Sequence, residues 1–239
     1  MKLALLFSLT LLAMVVAEPL SFSSTQGWHA RYFKLSKTVP KFLTEGWKVR
    51  LMPEVPPTND SAQTRTELDI LLERQGQRTT KDVLAIKREI KPSGHRFLGI
   101  SPLSTKAKKQ KPHTHQLLSS ANTELAKVVF YYKHHFNRVR PSYLESQLTT
   151  AIPNPSHPAY PSGHATQSMI FALLLAELLP AEREQLIKEA KVVARNREIS
   201  GVHYASDSAA GFTLAQGLVE EFLKAGQFLL LVQKAKQEW

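Results

Sequence analysis

The 239-residue chain contains no cysteine, which excludes disulfide bridges, thiol nucleophiles and thiolate–metal centres. It also lacks an apolar run long enough to cross a bilayer. Residues 3–16 form the longest such run, 14 residues, against roughly 20 for a spanning helix. A second candidate, residues 169–179, is shorter and carries Glu177. No convincing alternation of apolar and polar residues marks a strand, and no repeat is visible, so the expected fold is all-α. Aromatic residues are few, 8% of the chain, and are not interleaved with the basic ones. With no nucleic-acid module in view either, specific nucleic-acid binding is not expected.

What is present begins with a secretory pattern: Lys2, the apolar run, then Val15-x-Ala17 as a small-residue cleavage site. Residues 1–17 therefore read as a signal peptide cleaved near Ala17. The mature protein is expected to be exported, to periplasm or medium, with no transmembrane span. The formal charge of +11 falls by one on cleavage, and this balance favours anionic ligands. Residues 18–58 show little periodicity and end in a Pro-rich passage, so they read as an irregular N-terminal arm. Residues 59–239 form a single helical domain.

Within that domain, Thr64-x-x-Glu67 has capping-box spacing ahead of Leu68, Leu71 and Leu72. Thr79-x-x-Asp82 opens a second helix that Pro92 stops. Residues 92–117, including the basic stretch 106–115, read as a loop. A third helix, from about Ser120, carries Leu125, Val128, Val129 and Tyr132 and runs to Pro141. After a loop over 142–160, Ser162 caps a helix that is small or apolar almost all round through residue 179, the pattern of a buried central helix. A further helix follows Pro180 and breaks at Ser200-Gly201, and the last runs over 204–223 with an extension through 228–232.

The start of the central helix, Pro161-Ser162-Gly163-His164, offers unpaired N–H groups and partial positive charge to a phosphate, with a histidine beside it. The same four letters occur at Pro92-Ser93-Gly94-His95, but no helix pattern follows them. That copy reads as a turn ending a helix, with His95 outside the site.

Three further signals surround the second copy. Lys133 and Arg140 are seven apart, two turns on one helical face, about 10 Å along the axis. Alone they read equally as surface cations near a helix end. Arg197 continues the inward stripe of Ala190, Val193 and Ala194 and needs an anion, either a carboxylate or a ligand. His203 and Asp207 are neighbours at i,i+4, a spacing at which a carboxylate fixes an imidazole tautomer. No other histidine or carboxylate lies nearby at metal-ligand spacing.

Taken together, Lys133-x6-Arg140-Pro141, Pro161-Ser162-Gly163-His164 and Arg197-x5-His203-x3-Asp207 resemble the pattern of the type 2 phosphatidic acid phosphatase superfamily. That superfamily is shared by bacterial class A acid phosphatases and vanadium haloperoxidases. Asn196 stands where it usually has serine. The resemblance implies an all-α helical bundle around a buried central helix, acid phosphatase/vanadium haloperoxidase-like. It also implies an exported, metal-independent phosphomonoesterase acting through a phosphohistidine, on a small phosphomonoester.

Carried over, the catalytic residues are His203 as nucleophile, His164 as general acid and base, and Asp207 orienting His203. Lys133, Arg140, Ser162, Gly163 and Arg197 bind phosphate. No metal or cofactor is implied. A vanadium-dependent haloperoxidase, with vanadate on His203, is the alternative enzyme, and a non-catalytic phosphate- or polyanion-binding protein is the alternative of another class. Oligomeric state and the orientation of His134 and His135 stay open.

Overall fold

In the computed structural model, residues 20–239 are described; the expected signal segment lies outside them. The elements are α1 (Phe22–Thr25), α2 (Ala30–Ser36), α3 (Trp47–Arg50), α4 (Ala62–Gln77), α5 (Thr80–Arg88), α6 (Thr105–Gln110), α7 (Pro112–Phe136), α8 (Pro141–Leu144), α9 (Gly163–Leu178), α10 (Arg183–Ile199), α11 (Ala205–Lys224) and α12 (Gly226–Lys236). Short 3-10 turns occupy Pro92–Gly94 and Pro180–Glu182. Among the described residues there is no strand, only one isolated bridge between Phe97 and Ile100. The fold is all-α.

The central helix is α9. Its sequence presents no polar face wide enough for solvent, so it can be stable only when enclosed. The bundle encloses it: from Ala165 to Ala176 every side chain is buried. α10 and α11 supply most of its packing, and α7 and α12 the rest. Each neighbour turns an apolar stripe inward. Leu186, Ala190, Val193 and Ala194 of α10 are buried, as are Leu214, Leu218 and Phe222 of α11. Burying each leucine stabilises by about 1.5–3 kcal/mol.

α11 lies unusually close to the start of α9. A Cβ at Gly211 would stand 2.9 Å from the Ser162 carbonyl oxygen and 3.0 Å from Ala165 Cβ. Only a residue without a side chain permits that approach, which brings the 203–207 segment against the first turn of α9.

Several elements differ from the sequence reading. The arm is not irregular throughout: it carries α1, α2 and α3, and α2 packs on α7. Phe22 is fully buried, and Tyr32 stacks on Phe130 at 4.7 Å. The basic stretch is not a loop but α6 and the start of α7. Pro112 sits in the first turn of α7, where its missing N–H costs nothing. The Glu238 carboxylate accepts from His113 N and Thr114 N at 2.7 and 2.8 Å, capping the helix from the distant C-terminus.

α4 is capped by Ser61, whose hydroxyl accepts from Thr64 N at 3.1 Å. Glu67 is therefore no capping residue; it is buried on the inner face. Finally, α7 ends at Phe136, with Asn137 in the left-handed conformation at φ 50°. Arg140 is extended, at φ −79° and ψ 152°. Lys133 and Arg140 do not share a helical face; the turn at Asn137 brings them together instead.

Candidate active site

The second tetrapeptide forms the helix start expected of it. The Ser162 hydroxyl accepts from Ala165 N at 3.4 Å, and Ser162 N donates to the Asp207 carbonyl at 2.9 Å. A Cβ on Gly163 would lie 3.9 Å from Lys133 Cε, so the lysine side chain runs directly beneath the helix start.

Lys133 is fully buried and donates to the Pro158 and Ala159 carbonyls at 2.7 and 2.8 Å. Burial, then neighbouring Arg140, pushes its pKa well below the ordinary lysine value, while Asp207 opposes them. Arg140, also fully buried, donates to the carbonyls of Val202 at 2.7 Å and His157 at 2.8 Å. Burial lowers its pKa to about 10, still far above neutrality. The backbone of residues 157–159 thus collects the donors of both cations.

Arg197 comes from the last turn of α10. Its Nη2 donates to the Ile86 carbonyl at 2.8 Å, and the Glu89 carboxylate lies 3.6 Å away. Its Nε and Nη1 are buried with no hydrogen-bond partner. Buried guanidinium donors left unmet are costly, so this arginine has a carboxylate on one edge and, on the other, donors uncommitted within the protein. Asn196 Nδ2 donates to Glu89 at 2.8 Å. The departure from serine is therefore accommodated, because Asn196 secures the carboxylate that holds Arg197.

Gly201, at φ +77°, makes the left-handed turn that swings the chain from α10 to His203. His203 Nδ1 lies 2.9 Å from Asp207 Oδ2, and its Nε2 lies 3.3 Å from Arg140 Nη1. Arginine can only donate, so Nε2 must accept and the ring proton must sit on Nδ1, donated to Asp207. Burial, followed by Arg140, Lys133 and Arg197, holds the His203 pKa well below the ordinary histidine value. The neutral ring therefore keeps a lone pair on Nε2.

His164 is half-buried, whereas Lys133, Arg140, Arg197, His203 and Asp207 are buried. Its Nε2 lies 3.3 Å from the Ile90 carbonyl. Crowding still suffices for burial to push its pKa well below the ordinary value, with Arg197, His95 and His203 adding to the effect.

Three residues escaped the sequence reading. Arg138 is buried and donates to Asp207 Oδ1 and to the Ser206 hydroxyl, both at 2.7 Å, with Glu67 Oε2 at 3.3 Å. Glu67 in turn accepts from Ser206 N at 2.7 Å. His157 approaches Arg140 Nη2 at 3.1 Å and packs edge-on against Tyr32 and Phe130. Conversely, His134 and His135 are exposed and lie outside the cluster. His134 packs against Trp28 and Phe33. Among the described residues no group of three or more His, Asp or Glu side chains could hold a metal ion.

A buried central helix whose N-terminus meets three cations and two histidines defines an acid phosphatase/vanadium haloperoxidase-like fold. Residues 113–224 match the PAP2 superfamily. An acid phosphatase of Zymomonas mobilis is 31% identical over 80 residues, 34% of this chain and 30% of the relative. A non-specific acid phosphatase of Providencia stuartii is 33% identical over 81 residues, 34% and 33% of the two chains. The match thus spans about a third of either relative's length. The crystal structure of a bacterial vanadium-dependent iodoperoxidase superposes with a TM-score of 0.55 at 18% identity, covering 72% of this chain and 53% of that one.

Proposed function

We propose that this protein is an exported phosphomonoesterase that transfers the phosphoryl group of a small ester to His203 and then to water. The superfamily match and the acid phosphatase relatives support phosphatase chemistry. The observation that carries the mechanism is the orientation of His203: Nδ1 tied to Asp207, Nε2 bare beside the Arg140 guanidinium.

In the first step His203 Nε2 attacks phosphorus, the phosphorus–oxygen bond to the alcohol breaks, and His164 gives its proton to the departing oxygen. In the second, His164 takes a proton from water, water oxygen attacks phosphorus, and the nitrogen–phosphorus bond breaks. Lys133, Arg140 and Arg197 stabilise the three equatorial oxygens. Ser162 and Gly163 N–H add hydrogen bonds at the start of α9. Substrate oxygens compete with the 157–159 carbonyls for the donors of Lys133 and Arg140. His164 is the partly exposed histidine of the cluster, which suits it to protonate the departing alcohol.

Hydrolysis of 4-nitrophenyl phosphate tests the proposal. Activity is expected to survive EDTA and to disappear in His203→Ala. Vanadate resembles the five-coordinate transition state and is expected to inhibit competitively in the micromolar range, about −8 kcal/mol of binding. Loss of activity in EDTA, restored by a divalent cation, refutes the mechanism. Halide oxidation with vanadate and peroxide, without phosphate release, assigns the protein to the haloperoxidases. A protein inert in both assays yet stabilised by phosphate is a binding protein.

A further inference from the structure

The tetrapeptide occurs twice in the chain, and the fold brings the two copies into contact. The first forms the 3-10 turn after α5. A Cβ at Gly94 would fall 1.8 Å from the Arg88 carbonyl oxygen, so glycine alone lets this turn fold back onto α5. The fold-back carries His95 inward. Its side chain is fully buried, with its ring centroid 5.7 Å from that of His164, the planes tilted 50°, and 6.2 Å from Phe171. Neither ring nitrogen makes a hydrogen bond of ordinary geometry, though the Glu89 backbone lies close enough to favour a proton on the ring. The same turn meets His164 again through the Ile90 carbonyl at 3.3 Å. A buried imidazole with two uncommitted nitrogens is unusual, because such groups are normally hydrogen-bonded.

We propose that His95 is a positioning residue for His164: with the Ile90 carbonyl it forms a polar seat behind the acid–base imidazole and supplies the lone pair that a doubly protonated ring requires. The inference rests on the assignment of His164 as the acid–base group of the proposed phosphatase. A protonated imidazole has two N–H donors. One is needed for the departing oxygen; the other faces the Ile90 carbonyl at 3.3 Å, and His95 offers a second acceptor as the ring turns to aim its proton.

The titratable and charged groups facing His164 are Arg197 from α10, His203 from the turn before α11, and His95. Arg197 has no lone pair, and its partner Glu89 is shared with Asn196. His203 commits Nδ1 to Asp207 and keeps Nε2 beside Arg140. His95 has only the Glu89 backbone near its ring nitrogens, and its neutral ring keeps a lone pair. A charged His95 would oppose a proton on His164, but burial and Arg197 lower the His95 pKa to about 4. Through the neutral and mildly acid range His164 therefore faces a neutral ring with a lone pair to offer.

His95→Phe keeps an aromatic ring against Phe171 and removes the lone pair; His95→Gln keeps an acceptor. The assay is kcat/KM against pH for an alkyl phosphate, which needs its leaving group protonated, and for 4-nitrophenyl phosphate, which needs this far less. His95→Phe is expected to lower the alkyl value about tenfold more than the aryl value, a fraction of the full acid–base effect, and to shift the alkyl profile to lower pH. His95→Gln is expected to recover most of the loss. Equal losses on both substrates, or no rescue by glutamine, overturn the proposal.

A second readout does not depend on turnover. The His164 titration, followed by imidazole ¹⁵N NMR, is expected to move to lower pH in His95→Phe and back in His95→Gln. If wild-type protein hydrolyses neither ester, the phosphatase reading fails, while the titration still decides whether His95 acts on His164. An unmoved His164 titration refutes the coupling.

Discussion

Anion binding should draw protons into this site, and the charges around it set the scale. Lys133, Arg138, Arg140 and Arg197 are buried together with the carboxylates Glu67, Glu89 and Asp207, leaving an excess of one positive charge if Lys133 is charged. Lys133 and His164 are both pushed towards their neutral forms, mainly by burial. A bound dianion reverses that pressure. At about 4 Å and an effective dielectric of roughly 20, each unit charge interacts with His164 by about 4 kcal/mol. A dianion therefore contributes about 8 kcal/mol, several pKa units at 1.36 kcal/mol each.

Sulfate is the clean probe, since it stays dianionic throughout the working range and any proton taken up belongs to the protein. Calorimetric titration at pH 7 in buffers of different ionisation enthalpy is expected to show uptake of about one proton per sulfate. By linkage, sulfate affinity should then fall about tenfold per pH unit above neutrality, or about 1.4 kcal/mol. His164→Gln should remove most of the uptake, and Lys133→Met the remainder. Binding with no proton uptake, or uptake that survives both substitutions, refutes the charge reasoning.

Stability should depend on acid pH through His95. Its folded pKa of about 4 lies below the ordinary 6.5, so the unfolded chain takes its proton first as pH falls. Nothing is lost above pH 6.5; between 6.5 and about 4 the folded state loses about 3 kcal/mol, and Tm measured against pH should fall less steeply in His95→Gln. Gly211→Ala places a Cβ 2.9 Å from the Ser162 carbonyl oxygen. It should cost about 1–3 kcal/mol in urea unfolding and lower turnover by displacing the start of α9, and a neutral effect refutes the close approach. Arg138→Met removes the partner of two buried carboxylates, Glu67 and Asp207. A loss of about 3–5 kcal/mol is expected, relieved in part by adding Glu67→Gln; equal stability of single and double variants argues against the network.

The site was legible in the sequence wherever spacing alone fixes geometry. His203 and Asp207 meet at i,i+4, and Ser162 caps the helix that its neighbours open. α9 was legible because a helix without a polar face has only one place to go. Lys133 and Arg140 do not share a face for a related reason: the seven-residue spacing fits one helical face, but Asn137 adopts the left-handed conformation and α7 ends at Phe136, four residues before Arg140. Asparagine tolerates that conformation, and nothing in the local periodicity shows that it takes it. The cations converge because Arg140 is extended and reaches the 157–159 carbonyls, a long-range condition outside any window of sequence.

The misreading of Glu67 shows how an acceptable local pattern can hide a distant role. Thr64-x-x-Glu67 has the spacing of a cap, yet Ser61 does the capping and frees Glu67 for the interior. There it accepts from Ser206 N, one residue before Asp207, and from Arg138, two residues before Arg140. A single carboxylate on α4 thereby ties the His203–Asp207 segment to the Lys133–Arg140 segment. Arg138, within the second of these stretches, reaches across to the first, stacked 3.9 Å over Tyr204 and paired with Asp207. Asp207 consequently has one oxygen for His203 and the other for Arg138. It cannot rotate to offer both to the imidazole. The orientation of His203 is thus set by α4 and by the turn after α7 as much as by the motif that contains it.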